Sequence, residues 1–248
     1  MLNRIQLKGD AKAILRTAKV SPYLMGLLFL LLRAVMEFLD GYVSGNFIAY
    51  LNTLMPGIPI PEFLMHGDFK PIVIVFVSVM TWLLTSVLIT GWSIYHLGIR
   101  RGETMGYSSL FDGFSFVGKL ILTNLAVTAL VSLGTALFVI PGIIISYMYR
   151  FAIYNLCEDP NMPVLQAMRM SAQQTRGYRM QLFVLDISFL GWQLLTVITG
   201  GIAAVWAMPY VEQTNVGAFQ QLKRMSGIGV PNGPSAHEDA QSSYNPER

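Results

Sequence analysis

Six ionisable side chains fall inside long apolar runs of this 248-residue chain: Arg33, Glu37, Asp40, Arg150, Asp186 and Glu212. An isolated charge at the centre of a bilayer costs roughly 2.5–3.5 kcal/mol on insertion scales. Such groups must face one another or a polar cavity. Their chemistry is ion pairing, relay of an ion or proton, or capture of a polar headgroup. Arg33, Glu37 and Asp40 share one helical face that continues to Ser44.

Depth along the helices selects partners. Arg150 precedes the end of its run at Cys157 by about 10 Å at a rise of 1.5 Å per residue. Asp186 lies about 9 Å into the next run from the same side. The two are level, and we expect them to pair. Tyr147 and Tyr154, at i−3 and i+4, share the face of Arg150 and offer cation–π cover. Glu212 lies near mid-membrane. Pro209 just above it is expected to interrupt the helix and free carbonyl groups for a polar ligand. Glu37 and Glu212 compete for Arg33. Two polar stripes, Asn124–Thr128–Ser132–Thr135 and Asp186–Gln193–Thr196–Gly200, are expected to face inward. Two readings of this network stay open. In one, the charges pair and fix helix register. In the other, they line a cavity or pathway, and the surplus of acids over cations favours a protonated carboxyl or a cationic ligand.

The elements that position these groups are membrane helices. The chain is 53% hydrophobic and only 12% charged, against about 25% charged in soluble domains. That leaves too little charge for a water-facing surface. We expect an all-α polytopic bundle of about six spans of roughly 20 apolar residues each. They run from about Tyr23 to Leu51, Ile72 to Leu97, Phe116 to Ile140, Ile143 to Cys157, Met180 to Thr199, and Ile202 to Leu222. Pro141-Gly142 is expected to stop the third span, and Gly200-Gly201 to turn the chain into the sixth. The first run is too long for a signal-peptide core and is expected to be retained.

Basic residues cluster at alternate ends of the spans: Arg4 to Lys19, Arg100 and Arg101, Arg169 to Arg179, Lys223 and Arg224. Lys70 stands alone on the other side. The positive-inside rule then puts both termini of this multi-pass chain on the cytoplasmic side. The net charge of +3 belongs to this pattern and not to nucleic-acid binding. Three segments follow: a basic amphipathic arm (1–20), the membrane domain (21–224) and a polar, turn-rich tail (225–248) expected to be disordered. In the arm, Lys8, Lys12, Arg16 and Lys19 share one face and Ala11, Ile14, Leu15 and Ala18 the other, which suits an anionic leaflet. A second surface helix, 163–176, turns Arg169, Gln173 and Arg176 to water. It is either an interfacial elbow or a dock for a partner protein. The Pro-rich stretch Asn52–Pro71 reads as an irregular outer loop.

Several chemistries lack their residues. There is no phosphate-cradling GxxxxGK[ST], no HExxH and no GxSxG. The three histidines have no ligand spacing, and Cys157 is the only cysteine. No metal, cofactor or catalytic residue is expected, and the reading is non-enzymatic. The partners are the bilayer and either another protein or a second copy. The leading function is a small transporter, export component or accessory subunit for a small or lipid-like solute; the alternative is a scaffold docking a partner.

The order of "SLFDGF" (Ser109 to Phe114), "IPGIIISYMY" (Ile140 to Tyr149), "FLGW" (Phe189 to Trp192), "TGGIAAVWAMPYVEQT" (Thr199 to Thr214) and Phe219 resembles a bacterial, mainly Gram-positive, membrane family, domain of unknown function family 975. The resemblance runs from about Ala11 to Leu222. It implies a multi-span protein of the cytoplasmic membrane and brings no activity or catalytic residues with it.

Overall fold

The computed structural model describes residues 2–46 and 69–229, and among them there is no strand. α1 (Arg4–Thr17) starts where Asn3 Oδ1 accepts from the Gln6 N–H at 3.2 Å. α2 (Pro22–Ser44) starts at Ser21, whose Oγ accepts from the Leu24 N–H at 3.4 Å, with Pro22 where no helical N–H bond is lost. α3 (Pro71–Arg100) leads through a 3-10 segment, Tyr107–Phe116, into α4 (Val117–Leu137). Then come α5 (Val139–Tyr149), α6 (Ala152–Glu158), α7 (Val164–Gln174), α8 (Arg179–Ile187), α9 (Leu190–Ile198) and α10 (Ala204–Ser226). The end of the expected first span, most of the Pro-rich loop, and the tail beyond Gly229 lie outside the described residues.

Five stretches are long and apolar enough to cross a membrane: Pro22–Ser44, Pro71–Arg100, Tyr107–Leu137, Val139–Glu158 and Arg179–Ile198. Their outer faces expose Leu31, Val35, Phe76, Leu122, Leu133 and Leu194. That is the surface hydrocarbon requires and water penalises. The expected sixth span is α10, and it stands outside these five. It carries Glu212, Gln213, Asn215, Gln220 and Gln221, yet Tyr210, Gln213, Val216, Ala218, Phe219 and Leu222 are buried. α10 packs against α1, α2, α3 and α9. A helix sheathed by protein can be polar wherever its polar groups find partners.

Four expectations are corrected. The third span does not stop at Pro141-Gly142: the chain turns at Phe138 (φ −160°, ψ 149°), and Pro141 sits in the first turn of α5, where an N–H has no helical acceptor. Pro209 does not interrupt α10, which continues through it; instead Gly26 of α2 packs on it, so that a Cβ there would lie 3.3 Å from Pro209 Cγ. The fourth and fifth spans are each broken, at Arg150-Phe151 and at Ser188-Phe189. The arm helix, Arg4–Thr17, buries Leu7, Ala11 and Leu15 against protein, chiefly α10, so its apolar face is taken up by packing and not by a leaflet. The turn at Gly200-Gly201 stands, with φ 59° and 96°, values that glycine adopts without strain.

Close backbone approach sets the rest. The 3-10 segment lies on α3 at Gly91, where a Cβ would stand 2.1 Å from the Leu110 carbonyl oxygen. α4 and α5 form a hairpin whose seam runs through Gly142, where a Cβ would meet Thr135 Oγ1 at 2.0 Å. Small residues at such seams let helices touch in the absence of a hydrophobic drive between them.

Candidate functional site

Three nearly consecutive residues of α10, Glu212, Gln213 and Asn215, point in different directions because successive helical residues turn by about 100°. Each finds a polar partner on another helix. Glu212 Oε1 accepts from Ser93 Oγ of α3 at 2.9 Å and from Tyr154 Oη of α6 at 2.8 Å. Gln213 Oε1 lies 2.8 Å from His96 Nδ1 of α3, and both side chains are fully buried. Asn215 Oδ1 accepts from Arg150 Nη2 at 3.0 Å. α10 is thus a polar hub inside an apolar bundle.

Arg150 stands at the break between α5 and α6 and Asp186 in the last turn of α8, next to the other break. The guanidinium reaches the carboxylate through Nη1 at 2.5 Å and Nη2 at 2.8 Å, a bidentate fork. Tyr147 Oη donates to the same carboxylate at 2.7 Å, and its ring lies 5.5 Å from the guanidinium carbon. Tyr154, expected to cover Arg150, spends its hydroxyl on Glu212 instead. The break is held from outside: Ser171 Oγ of α7 accepts from the Phe151 N–H at 3.0 Å and donates to the Met148 carbonyl at 2.9 Å. Those are backbone groups that an interrupted helix would otherwise strand. Asn155 and Gln174, both buried, exchange amide hydrogen bonds of 3.1 Å beside it.

The competition for Arg33 falls to Glu37, one turn away at 2.7 Å, and both side chains are well exposed, 41% and 58%. Asp40 accepts from Ser78 Oγ of α3 at 2.6 Å. Glu212 has no cation within 4 Å among the described residues and only the two hydroxyl donors. Its Oε2 takes no hydrogen bond among the described residues, and Glu212 borders an open space. That space is a cleft of about 580 Å³ between α2, α3, α9 and α10. Its walls include Phe29, Trp92, Trp192, Val197 and Met208, with Arg33, Gln193 and Thr196 as further polar groups.

The stripe on the third span is corrected. Thr128, Ser132 and Thr135 are exposed and Asn124 is half-buried. Thr135 Oγ1 satisfies itself on the Val131 carbonyl at 2.8 Å, so it needs no inward partner. Of the basic docking residues, Lys12, Arg16, Lys19, Arg169 and Arg176 are exposed, and the Lys12 ammonium lies 5.5 Å from the Tyr210 ring. At the end of the bundle that carries Arg100 and Arg101, Glu158 pairs with Arg101 Nη2 at 2.9 Å and with Lys223. No group of three metal-ligating side chains occurs among the described residues.

Sequence reasoning missed Ser93, His96, Ser171, Gln174, Gln213 and Asn215. Ser93 and His96 were legible as polar residues one turn apart in the second apolar run. Ser171 and Gln174 lie on the helix read as surface, and Gln213 and Asn215 in the expected sixth span, where the reading singled out Glu212 instead.

Fold and interior together define a helical bundle of membrane-protein type with a polar centre. The family model described as "Protein of unknown function (DUF975)" matches residues 127–225 and supports the chain's membership of that family. The matched stretch holds Arg150, Tyr147, Tyr154, Asp186, Gln193 and Glu212 and leaves Arg33, Glu37, Asp40 and Asn124 outside; it is shorter than the expected Ala11–Leu222. Curated proteins and solved structures yield no match.

Proposed function

We propose that this chain is a non-enzymatic, multi-pass protein of the bacterial cytoplasmic membrane. In this reading it binds an amphipathic, lipid-like solute in the cleft between α2, α3, α9 and α10, and serves its movement as a small transporter, export component or accessory subunit. One observation carries the reading: Glu212, an acid with no cation partner among the described residues, lines a cleft whose other walls are mainly apolar and aromatic. Intramembrane acids face interiors or pathways because hydrocarbon cannot solvate them. Clefts with apolar walls and few polar groups are the usual form of a site for such ligands. α1 and the last turns of α10 pack together near Arg100 and Arg224, where Gln6 and Asp10 of α1 share a small pocket with Gly217 and Met225 of α10. That supports termini on one side, and the basic clusters make it the cytoplasmic side.

The test is transbilayer movement of a short-chain fluorescent phospholipid in proteoliposomes. Wild-type protein should exceed protein-free vesicles, and Val197→Trp, which fills the cleft from an exposed position, should abolish the excess. Equal movement with and without protein, or an unaffected Val197→Trp, contradicts the reading. A scaffold role has its own support in Arg169 on α7 and Arg176 in the turn after it, which are exposed and make no ion pair among the described residues. Charge reversal at both should then release a co-purifying protein.

A further inference from the structure

We infer that the solute of this cleft carries an ammonium group, as the headgroup of an amino-phospholipid does; the inference rests on the proposed binding role of the cleft. Arg33 is engaged by Glu37, and Arg150 by Asp186. The half-buried Arg100 donates to Gln220 Oε1 at 3.1 Å and to the Gln213 carbonyl at 3.5 Å, on the far side of α10's polar hub. None of these cations pairs with Glu212 among the described residues.

The geometry of Glu212 selects the sign of the ligand. Two hydroxyls converge on one oxygen, Oε1, as donors, an arrangement that stabilises a carboxylate. The second oxygen takes no donor among the described residues, and Glu212 lines the cleft. A cation with N–H groups, or a compact quaternary ammonium, completes it. An anionic headgroup would be repelled there.

The walls match the rest of such a ligand. Trp92, buried and stacked on Phe29 at 5.3 Å between centroids, adds apolar wall, and Trp192, partly exposed, borders the same cleft. Indole faces attract ammonium groups. Ile89, Val197, Met208 and Val211 give an apolar lining for an acyl chain. Arg33, whose Nε and Nη2 are turned to Glu37, keeps Nη1 unpaired among the described residues and lines the same cleft. It supplies a donor for the phosphate of a zwitterionic headgroup. A membrane lipid with phosphate and ammonium fits this order of charges; a free ammonium compound would leave the apolar walls bare.

The test is native mass spectrometry of the purified chain in a neutral sugar detergent, titrated separately with dihexanoyl phosphoethanolamine and dihexanoyl phosphoglycerol. Dodecyltrimethylammonium is the third probe. Wild-type protein should form the ethanolamine adduct at about tenfold lower concentration than the glycerol adduct, the scale of one charge-assisted contact. Glu212→Gln should bind both lipids alike, at the weaker level. Val197→Trp should lose both. If wild-type binds both lipids equally and Val197→Trp loses both, the ammonium inference fails while the cleft stands. If Val197→Trp changes nothing, the cleft reading itself fails. Tight binding of dodecyltrimethylammonium with no preference between the lipids overturns the lipid assignment. Should Glu212→Gln misfold, as shown by circular dichroism, Ser93→Ala takes its place. It removes one donor from Oε1 and should shift the preference without removing the acid; an unshifted preference counts against the inference.

Discussion

Converting Asp186 to Asn removes the charge that faces Arg150 while keeping shape and one acceptor. The carboxylate receives three donors: both Nη atoms of Arg150 and the Tyr147 hydroxyl. Stripping one member from a fully buried pair costs about 3–5 kcal/mol, because the other charge stays buried without compensation. Here the side chains are 20% and 31% exposed, and Asn215 still accepts from Arg150. The cost therefore falls to about 2–3 kcal/mol. For a chain of this size that lowers the melting temperature by about 4–12 °C. The assay is thermal unfolding by intrinsic fluorescence in one fixed detergent. Replacing both partners, Arg150→Met with Asp186→Leu, should recover most of the loss, with a coupling energy of about 2 kcal/mol. Melting of Asp186→Asn within about 1 °C of wild type, or losses that simply add in the double variant, would refute the reasoning.

Three further outcomes are expected. Ser171→Ala strands the Phe151 N–H, while Thr175 Oγ1 still reaches the Met148 carbonyl at 3.3 Å; the variant should lose about 1–3 kcal/mol, with faster amide exchange at the α5–α6 break and none in α2. Gly91→Ala drives a methyl into the Leu110 backbone, so the 3-10 segment must lift from α3; a loss of at least about 1–3 kcal/mol in thermal unfolding is expected, and an unchanged melt would show that the contact is not tight. Gln174→Leu leaves buried Asn155 without its reciprocal partner and should cost about 1–3 kcal/mol in the same measurement, more than Gln173→Leu on the exposed face of α7.

How far the sequence reaches is best seen residue by residue. Runs of apolar residues fix the five membrane-length stretches because the length requirement is local. Counting depth set Arg150 level with Asp186, and the structure brings the two together. The breaks beside them were not legible. The one at Arg150 is held by Ser171, a residue twenty positions on and on another helix, so no local pattern marks it. Pro209 looked like an interruption because proline removes a helical bond; inside α10 the loss is local, and Gly26 covers the site. The inward stripe on the third span failed because a threonine hydroxyl can satisfy itself on its own helix. α10 shows the general reason: the segment reads as a span, but which of its polar residues find partners, and where, emerges only once Ser93, His96, Tyr154 and Arg150 are seen around it.

A density map of the protein in its native lipid tests the whole most directly. The account predicts an elongated feature filling the cleft, its head against the Glu212 carboxylate and its tail along Val197 and Met208. A closed cleft, with Trp92 and Trp192 in contact and Glu212 paired to a protein cation, would contradict it.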